Sequence, residues 1–269
     1  MLKNFLLWLV LLACAATPLW PAPTKARHLS GRYVLPETVR RPLRLHNTCV
    51  AVCSVVDPTP RRPLGFARGS GFFVTPSHVM TCRHLLSVPS PTGLVPADRV
   101  IIEWVDGRQC EARVVATEKA HDLALLQLEA CRWHGSPVRL VERPLSLGES
   151  VRVAGLFDPR GFWVTEGSIT ALNVLDGFAM ADAKVRSGFS GGPVFDRDGK
   201  LLGMLSQRDD ARNAIFVRQD VLRTFLEACG VLPSRASAES ADVVSSRDSG
   251  DGKKVPGIER KLPSKRSPR

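Results

Sequence analysis

Aromatic residues are scarce in this 269-residue chain, at 6%, with a single tyrosine. Its basic residues are therefore not interleaved with aromatics, as they would be in a binder of nucleic-acid bases. No Cys-x-x-Cys pair and no Cys/His spacing of a zinc site occurs, so no metal or other cofactor is read. No internal repeat is present, which leaves no basis for a solenoid. The apolar run from Phe5 to Ala13 is short for a membrane span and is soon followed by Pro18 and Pro21.

What is present is an ordinary globular composition, 44% apolar and 23% charged, long enough for one or two domains with a buried core. The formal charge of +11 could serve nucleic acid or an anionic membrane, but Lys and Arg are spread along the chain and read better as a solvated basic surface. No specific nucleic-acid partner is expected. Residues 1–16 have the pattern of an export signal: Lys3, an apolar stretch, then Ala13-Cys14-Ala15 as a small-residue cleavage site. Export to the periplasm or beyond is the expectation. The alternative is a membrane tether through a lipid on Cys14, since Leu11-Leu12-Ala13-Cys14 resembles a bacterial lipoprotein box. Residues 17–45, rich in Pro, Arg and Thr, read as an arm or linker. Residues 233–269, dominated by Ser, Lys, Arg, Asp and Pro, read as a disordered basic tail.

Residues 46–232 carry the folded domain. Short apolar, β-branched segments recur about every ten residues with Gly, Pro, Asp or Asn between them. They include Cys49 to Val56, Gly65 to Thr75, Val79 to Cys82, Val100 to Val105, Cys110 to Ala116 and Leu123 to Leu128. Ser150 to Gly155, Phe162 to Leu172, Phe178 to Ala183, Pro193 to Asp196, Leu201 to Ser206 and Ala214 to Val217 follow. This spacing predicts an all-β sandwich or barrel in two halves, divided near residues 133–144. Asp220 to Cys229 places Val221, Leu222, Phe225 and Leu226 on one face, a core-packing helix stopped by Gly230. Cys49, Cys53, Cys82, Cys110, Cys131 and Cys229 permit disulfides whose pairing the sequence leaves open. Cys49 and Cys53, four strand residues apart, stand about 13 Å from one another and cannot bond.

Chemistry concentrates at Ser187-Gly188-Phe189-Ser190-Gly191-Gly192-Pro193. Glycines there can aim amide N–H groups at one point beside a serine hydroxyl, although a plain Gly-Pro turn has the same composition. A neutral serine is a poor nucleophile near pH 7. It needs an imidazole to take its proton and a carboxylate to orient that imidazole. His84, after the strand ending at Cys82, and Asp122, opening the strand from Leu123, supply those types. His121 is an adjacent competitor for the base. Singly each residue has a bland reading; jointly they make a catalytic set.

Gly69-Ser70-Gly71-Phe72-Phe73-Val74, Thr81-Cys82-Arg83-His84, His121-Asp122-Leu123-Ala124-Leu125-Leu126 and Gly188-Phe189-Ser190-Gly191-Gly192-Pro193-Val194, in that order, resemble the trypsin-fold serine proteases. The resemblance is closest to the bacterial high-temperature-requirement A branch, through Leu147-Gly148-Glu149-Ser150-Val151 and Thr165-Glu166-Gly167-Ser168-Ile169. It implies two six-stranded β-barrels and a C-terminal helix, with the active site between the barrels. His84 is implied as general base, Asp122 as its orienting partner and Ser190 as nucleophile. The backbone N–H groups of Gly188 and Ser190 are implied as the oxyanion hole, and the strand reaching Ser206 as the surface that pairs with substrate. The implied substrate is a protein or peptide, cleaved through an acyl-enzyme.

The sequence departs from that branch in places. Phe189 replaces its usual asparagine and is expected either to line the cleft or to alter the local peptide geometry. Lys184 occupies the position at the base of the specificity pocket. Pointing inward it favours acidic side chains; pointing outward it is a solvated cation. No PDZ domain and no clear activation site are read. Two other classes compete: a catalytically silent protease-fold peptide binder, and a binder of nucleic acid or another anionic polymer whose affinity falls steeply with salt.

Overall fold

The first strand, β1 (Cys49–Val56), shows why these residues build a two-layered core. Successive side chains of a strand point to opposite faces. Val50 and Val52 enter one hydrophobic cluster with Phe73, Val79, Ile102, Trp104 and Leu126, while Cys49 and Ala51 enter another with Phe72, Met80, Leu123 and Leu125. Both faces are buried, so the strand reads as a continuous apolar run rather than an alternating one. The computed structural model describes residues 47–59, 64–158 and 161–232. The expected leader with Cys14, the expected arm and the expected tail lie outside the described residues.

After β1 come β2 (Gly65–Thr75), β3 (His78–Cys82), a 3-10 turn (Arg83–Leu86), β4 (Ser87–Ser90), β5 (Gly93–Pro96), β6 (Arg99–Glu103), β7 (Gln109–Glu118) and β8 (Leu123–Leu128). The order β1-β2-β3-β8-β7-β6 closes a first antiparallel barrel, and β4 and β5 pair as a separate hairpin. That hairpin is not among the segments read from the sequence: Pro89 and Pro96 break its pattern, and its pairing lies outside the barrel.

β9 (Ser150–Asp158), β10 (Gly161–Leu175), β11 (Phe178–Lys184), β12 (Pro193–Phe195), β13 (Leu201–Arg208) and β14 (Asn213–Arg218) close a second barrel in the order β10-β11-β14-β13-β12-β9. Its interior holds Val151, Val153, Ile169, Val194, Leu202, Leu205 and Phe216. Helix α1 (Gln219–Ala228) follows directly. Its Leu222 and Leu226 are fully buried in the cluster containing Phe72, Met80 and Leu125 of the first barrel and Phe195, Leu201 and Met204 of the second. This shared cluster fixes the two barrels against each other and so fixes the cleft between them. The fold is all-β in two halves with a C-terminal helix, as the strand spacing predicted, and its two six-stranded barrels are those the family resemblance implied.

One disulfide, Cys110–Cys131, is present among the described residues, with Cα atoms 5.8 Å apart. It ties β7 to the segment leaving β8. Cys49, Cys53, Cys82 and Cys229 are free thiols. Burial pushes Cys53 up to about 11.

Candidate active site

Sheet register brings the first two side chains together. Cys82 pairs with Leu123 across β3 and β8, so His84, two residues past Cys82, and Asp122, one residue before Leu123, emerge at the same end of neighbouring strands. The backbone of Asp122 is in the left-handed region, with φ of 59°. Asp tolerates this conformation better than most residues because its short polar side chain bonds locally. Its carbonyl accepts from Arg83 N at 2.8 Å. Its Oδ1 accepts from His84 N at 2.8 Å and its Oδ2 from His84 Nδ1 at 2.6 Å. Ser206 Oγ, on β13, donates to the same Oδ2 at 3.2 Å.

Burial pushes the Asp122 carboxyl up, but the bonds and charge from His84, with the Ser206 hydroxyl, outweigh it and hold the group below its ordinary value. An ionised carboxylate only accepts hydrogen bonds. The proton on the His84–Asp122 contact therefore sits on Nδ1, which leaves Nε2 as the basic nitrogen. The ring is about half exposed, 48%, against 23% for the Asp122 side chain.

Ser190 lies in the loop between β11 and β12. Phe189 N donates to Arg186 O at 3.2 Å, closing a four-residue turn in which Gly188 has φ of +93°. A positive φ at the third position makes this a type II turn, whose central peptide faces the opposite way from that of a type I turn. Carbonyls of the loop are bonded back to β2. Ser70 Oγ donates to Gly188 O at 2.7 Å, and Ser70 N donates to Ser190 O at 2.8 Å. Thr81 Oγ1 in turn donates to Ser70 O at 2.8 Å. Gly191, φ +82°, must be glycine for this approach, because a Cβ there would collide with Ser70 O and Thr81 Oγ1. The amides of Phe189, Gly191 and Gly192 donate to carbonyls, whereas those of Gly188 and Ser190 have no acceptor among the described residues. The result is two unpaired backbone donors beside a serine hydroxyl.

His84, Gly188 and Ser190 line one cavity of about 250 Å3, with Leu85, Leu205 and Arg208. No hydrogen bond joins Ser190 Oγ to His84 among the described residues. Such bonds are often long in unliganded sites and tighten on substrate binding. His121 is elsewhere: its Nδ1 bonds Glu118 at 3.0 Å and its ring packs against Phe178.

Phe189 is buried, at 2% exposure, in the core of the second barrel. A Cβ on Gly155 would come within 2.9 Å of the Phe189 ring, so that glycine makes room for it. Lys184 is exposed at the end of β11. Its Nζ is held by Ala211 O at 3.1 Å and Asn213 Oδ1 at 2.6 Å, and the residue lines a cavity with Arg186 and Phe189. The sequence reading assigned no role to Ser70; its glycine neighbours signalled close packing but not what it clamps.

Cys82, His84 and Asp122 have donor atoms within 4.8 Å of one another, the one such grouping among the described residues. The set does not suit a metal. Burial, followed by the neighbouring Asp122 carboxylate, pushes the Cys82 thiol well up, and its Sγ donates to Leu205 O at 3.3 Å. It remains a protonated thiol beneath the carboxylate.

Residues 69–204 match a family model described as a trypsin-like peptidase domain. A probable periplasmic serine endoprotease, DegP-like, from Bartonella henselae is 31% identical over 157 residues, 53% of this chain and 28% of that protein. A protein of the same name from Ectopseudomonas mendocina is 32% identical over 164 residues, 55% of this chain and 32% of that protein. The uncharacterized protein y4bJ of Sinorhizobium fredii is 30% identical over 170 residues, 60% of this chain and 25% of that protein. The chain thus spans between a quarter and a third of the length of these relatives.

Proposed function

The chain belongs to the trypsin-like peptidase family, and from that premise we propose that it is an exported serine endopeptidase acting on proteins or peptides. His84 Nε2 takes the proton of Ser190 Oγ as that oxygen attacks a substrate carbonyl carbon. The carbonyl oxygen becomes an oxyanion and accepts hydrogen bonds from Gly188 N and Ser190 N. Asp122 keeps Nδ1 protonated and stabilises the imidazolium. When the intermediate collapses, the C–N bond breaks and His84 gives its proton to the leaving amine. An ester remains on Ser190. Water, deprotonated by His84, attacks that ester, and the carboxylic acid leaves as Ser190 regains its proton.

The observation that carries this reading is the convergence in one cavity of Ser190 and His84, the latter already bonded to Asp122. The names of the relatives support export, in agreement with the leader-like residues 1–16. The test is labelling of the purified protein with a fluorophosphonate probe alongside cleavage of a peptide library. Ser190→Ala is expected to abolish labelling and lower kcat about a million-fold. A protein that binds peptides yet neither labels nor cleaves would sink the proposal.

A further inference from the structure

The cavity at Ser190 does not end there. Arg186 and Arg208 also line it, and both line a second cavity of about 480 Å3 that adds Arg212. Arg186 and Arg212 continue into a third, of about 370 Å3, bounded by Trp163 and Thr165. Because Arg186 belongs to all three, they form one trough leading away from the nucleophile. No Asp or Glu is among the lining residues.

Not every cation in this trough is free to bind. Arg68 is paired with Glu103 at 3.3 Å, and Lys184 is held by the β13–β14 turn. Asp209, on that turn, lies near Lys184, and its carboxylate is engaged by Asn213 N and Nδ2. Arg186, Arg208 and Arg212 are exposed and make no ion pair or side-chain hydrogen bond among the described residues. Arg212 has φ of +67°, a conformation a bulky residue adopts at a cost and glycine adopts freely. The turn thus holds an arginine where backbone energetics alone would favour glycine.

We propose that this trough selects substrates with an aspartate or glutamate at the residue whose carbonyl Ser190 attacks. The proposal rests on the protease reading above. An attacked carbonyl bonded to Gly188 N and Ser190 N places its own residue against the 187–190 loop, next to Arg186 and Arg208. Guanidinium groups bind carboxylates in a planar, bidentate fashion, and a trough lined by one sign of charge concentrates the opposite sign. Arg212 extends the field to the preceding substrate residues. Lys184, which the sequence suggested for this task, has its ammonium committed to the turn.

Each exposed guanidinium contributes up to about fivefold, so Arg186 and Arg208 acting together give about a 10- to 25-fold preference for Glu over its neutral isostere. The experiment uses the full chain and fluorogenic peptides differing only by Glu, Asp, Gln, Ala or Lys at that residue. Active sites are counted by fluorophosphonate titration. The expected result is a Glu:Gln ratio in kcat/KM of at least about tenfold at low salt, falling as salt is raised. In Arg186→Glu and Arg208→Glu the ratio is expected to collapse and Lys peptides to gain. This ratio is internal to each variant, so partial misfolding does not disturb it. A wild-type ratio near one in a labelling-competent enzyme, or a ratio indifferent to both charge reversals, would overturn the proposal and leave the protease reading standing. Failure of the wild type to label removes both.

Discussion

Ser70→Ala is the sharpest probe of how the first barrel shapes the Ser190 loop of the second. Ser70 is fully buried, and its Oγ is the donor to Gly188 O at 2.7 Å. The substitution keeps the β2 backbone bond to Ser190 O but strips one of two tethers from the segment carrying both unpaired amides. Gly188 is half-buried, so depriving its carbonyl of the donor costs up to about 1–3 kcal/mol. If that cost falls on the loop geometry that aims Gly188 N and Ser190 N, catalysis drops by about 5- to 150-fold. Ground-state peptide binding does not use those donors, so KM should move little while kcat and the fluorophosphonate labelling rate fall together. The assay is steady-state peptide hydrolysis, labelling kinetics and urea unfolding on the same preparations. An unchanged kcat and labelling rate, with unfolding free energy lowered by the whole amount, would show that Ser70 holds the fold and not the loop.

Other expectations concern stability. The folded protein holds the Asp122 carboxyl below its ordinary value, so the unfolded chain takes up that proton at higher pH than the folded one. The resulting stabilisation is complete above the ordinary carboxylate range and vanishes as pH falls through the folded value. Wild type should therefore exceed Asp122→Asn in stability by more at pH 7 than at pH 3 in denaturant titrations, and an equal gap at both would contradict the assignment. Phe189→Ala should cost about 3–5 kcal/mol as a core truncation, read from the urea midpoint; a loss under about 1 kcal/mol would place the ring outside the core. Cys110–Cys131 closes a loop of sequence separation 21, so reduction should lower stability by about 3 kcal/mol, compared with and without reductant.

The strands were legible because each needs only local pattern: β8 is Leu123 to Leu128 in both readings, and β1 likewise coincides. The hairpin of β4 and β5 was not, because its two short strands carry prolines and pair only with each other. Phe189 shows the limit for single residues. Beside a serine in a glycine turn its bulk suggested the cleft; the ring also fills a space in the second barrel left by Gly155, 34 positions earlier in the chain, while the residue borders the cavity with Trp163 and Arg186.

By itself the sequence determined the recurrence of short apolar segments between turn residues that makes an all-β fold in two halves. It also supplied a histidine, an aspartate and a serine ahead of or within turns, and glycines where backbone must approach backbone. These follow from side-chain period and backbone freedom, which act over a few residues. The tertiary structure alone decided that Ser70 reaches across 118 positions to the Gly188 carbonyl. It also decided that Cys110 meets Cys131, and that Arg186, Arg208 and Arg212 share one trough while Lys184 turns to a loop. Barrel closure and the packing of one barrel on the other set those distances, and no local pattern encodes which distant residues a closed sheet will bring side by side.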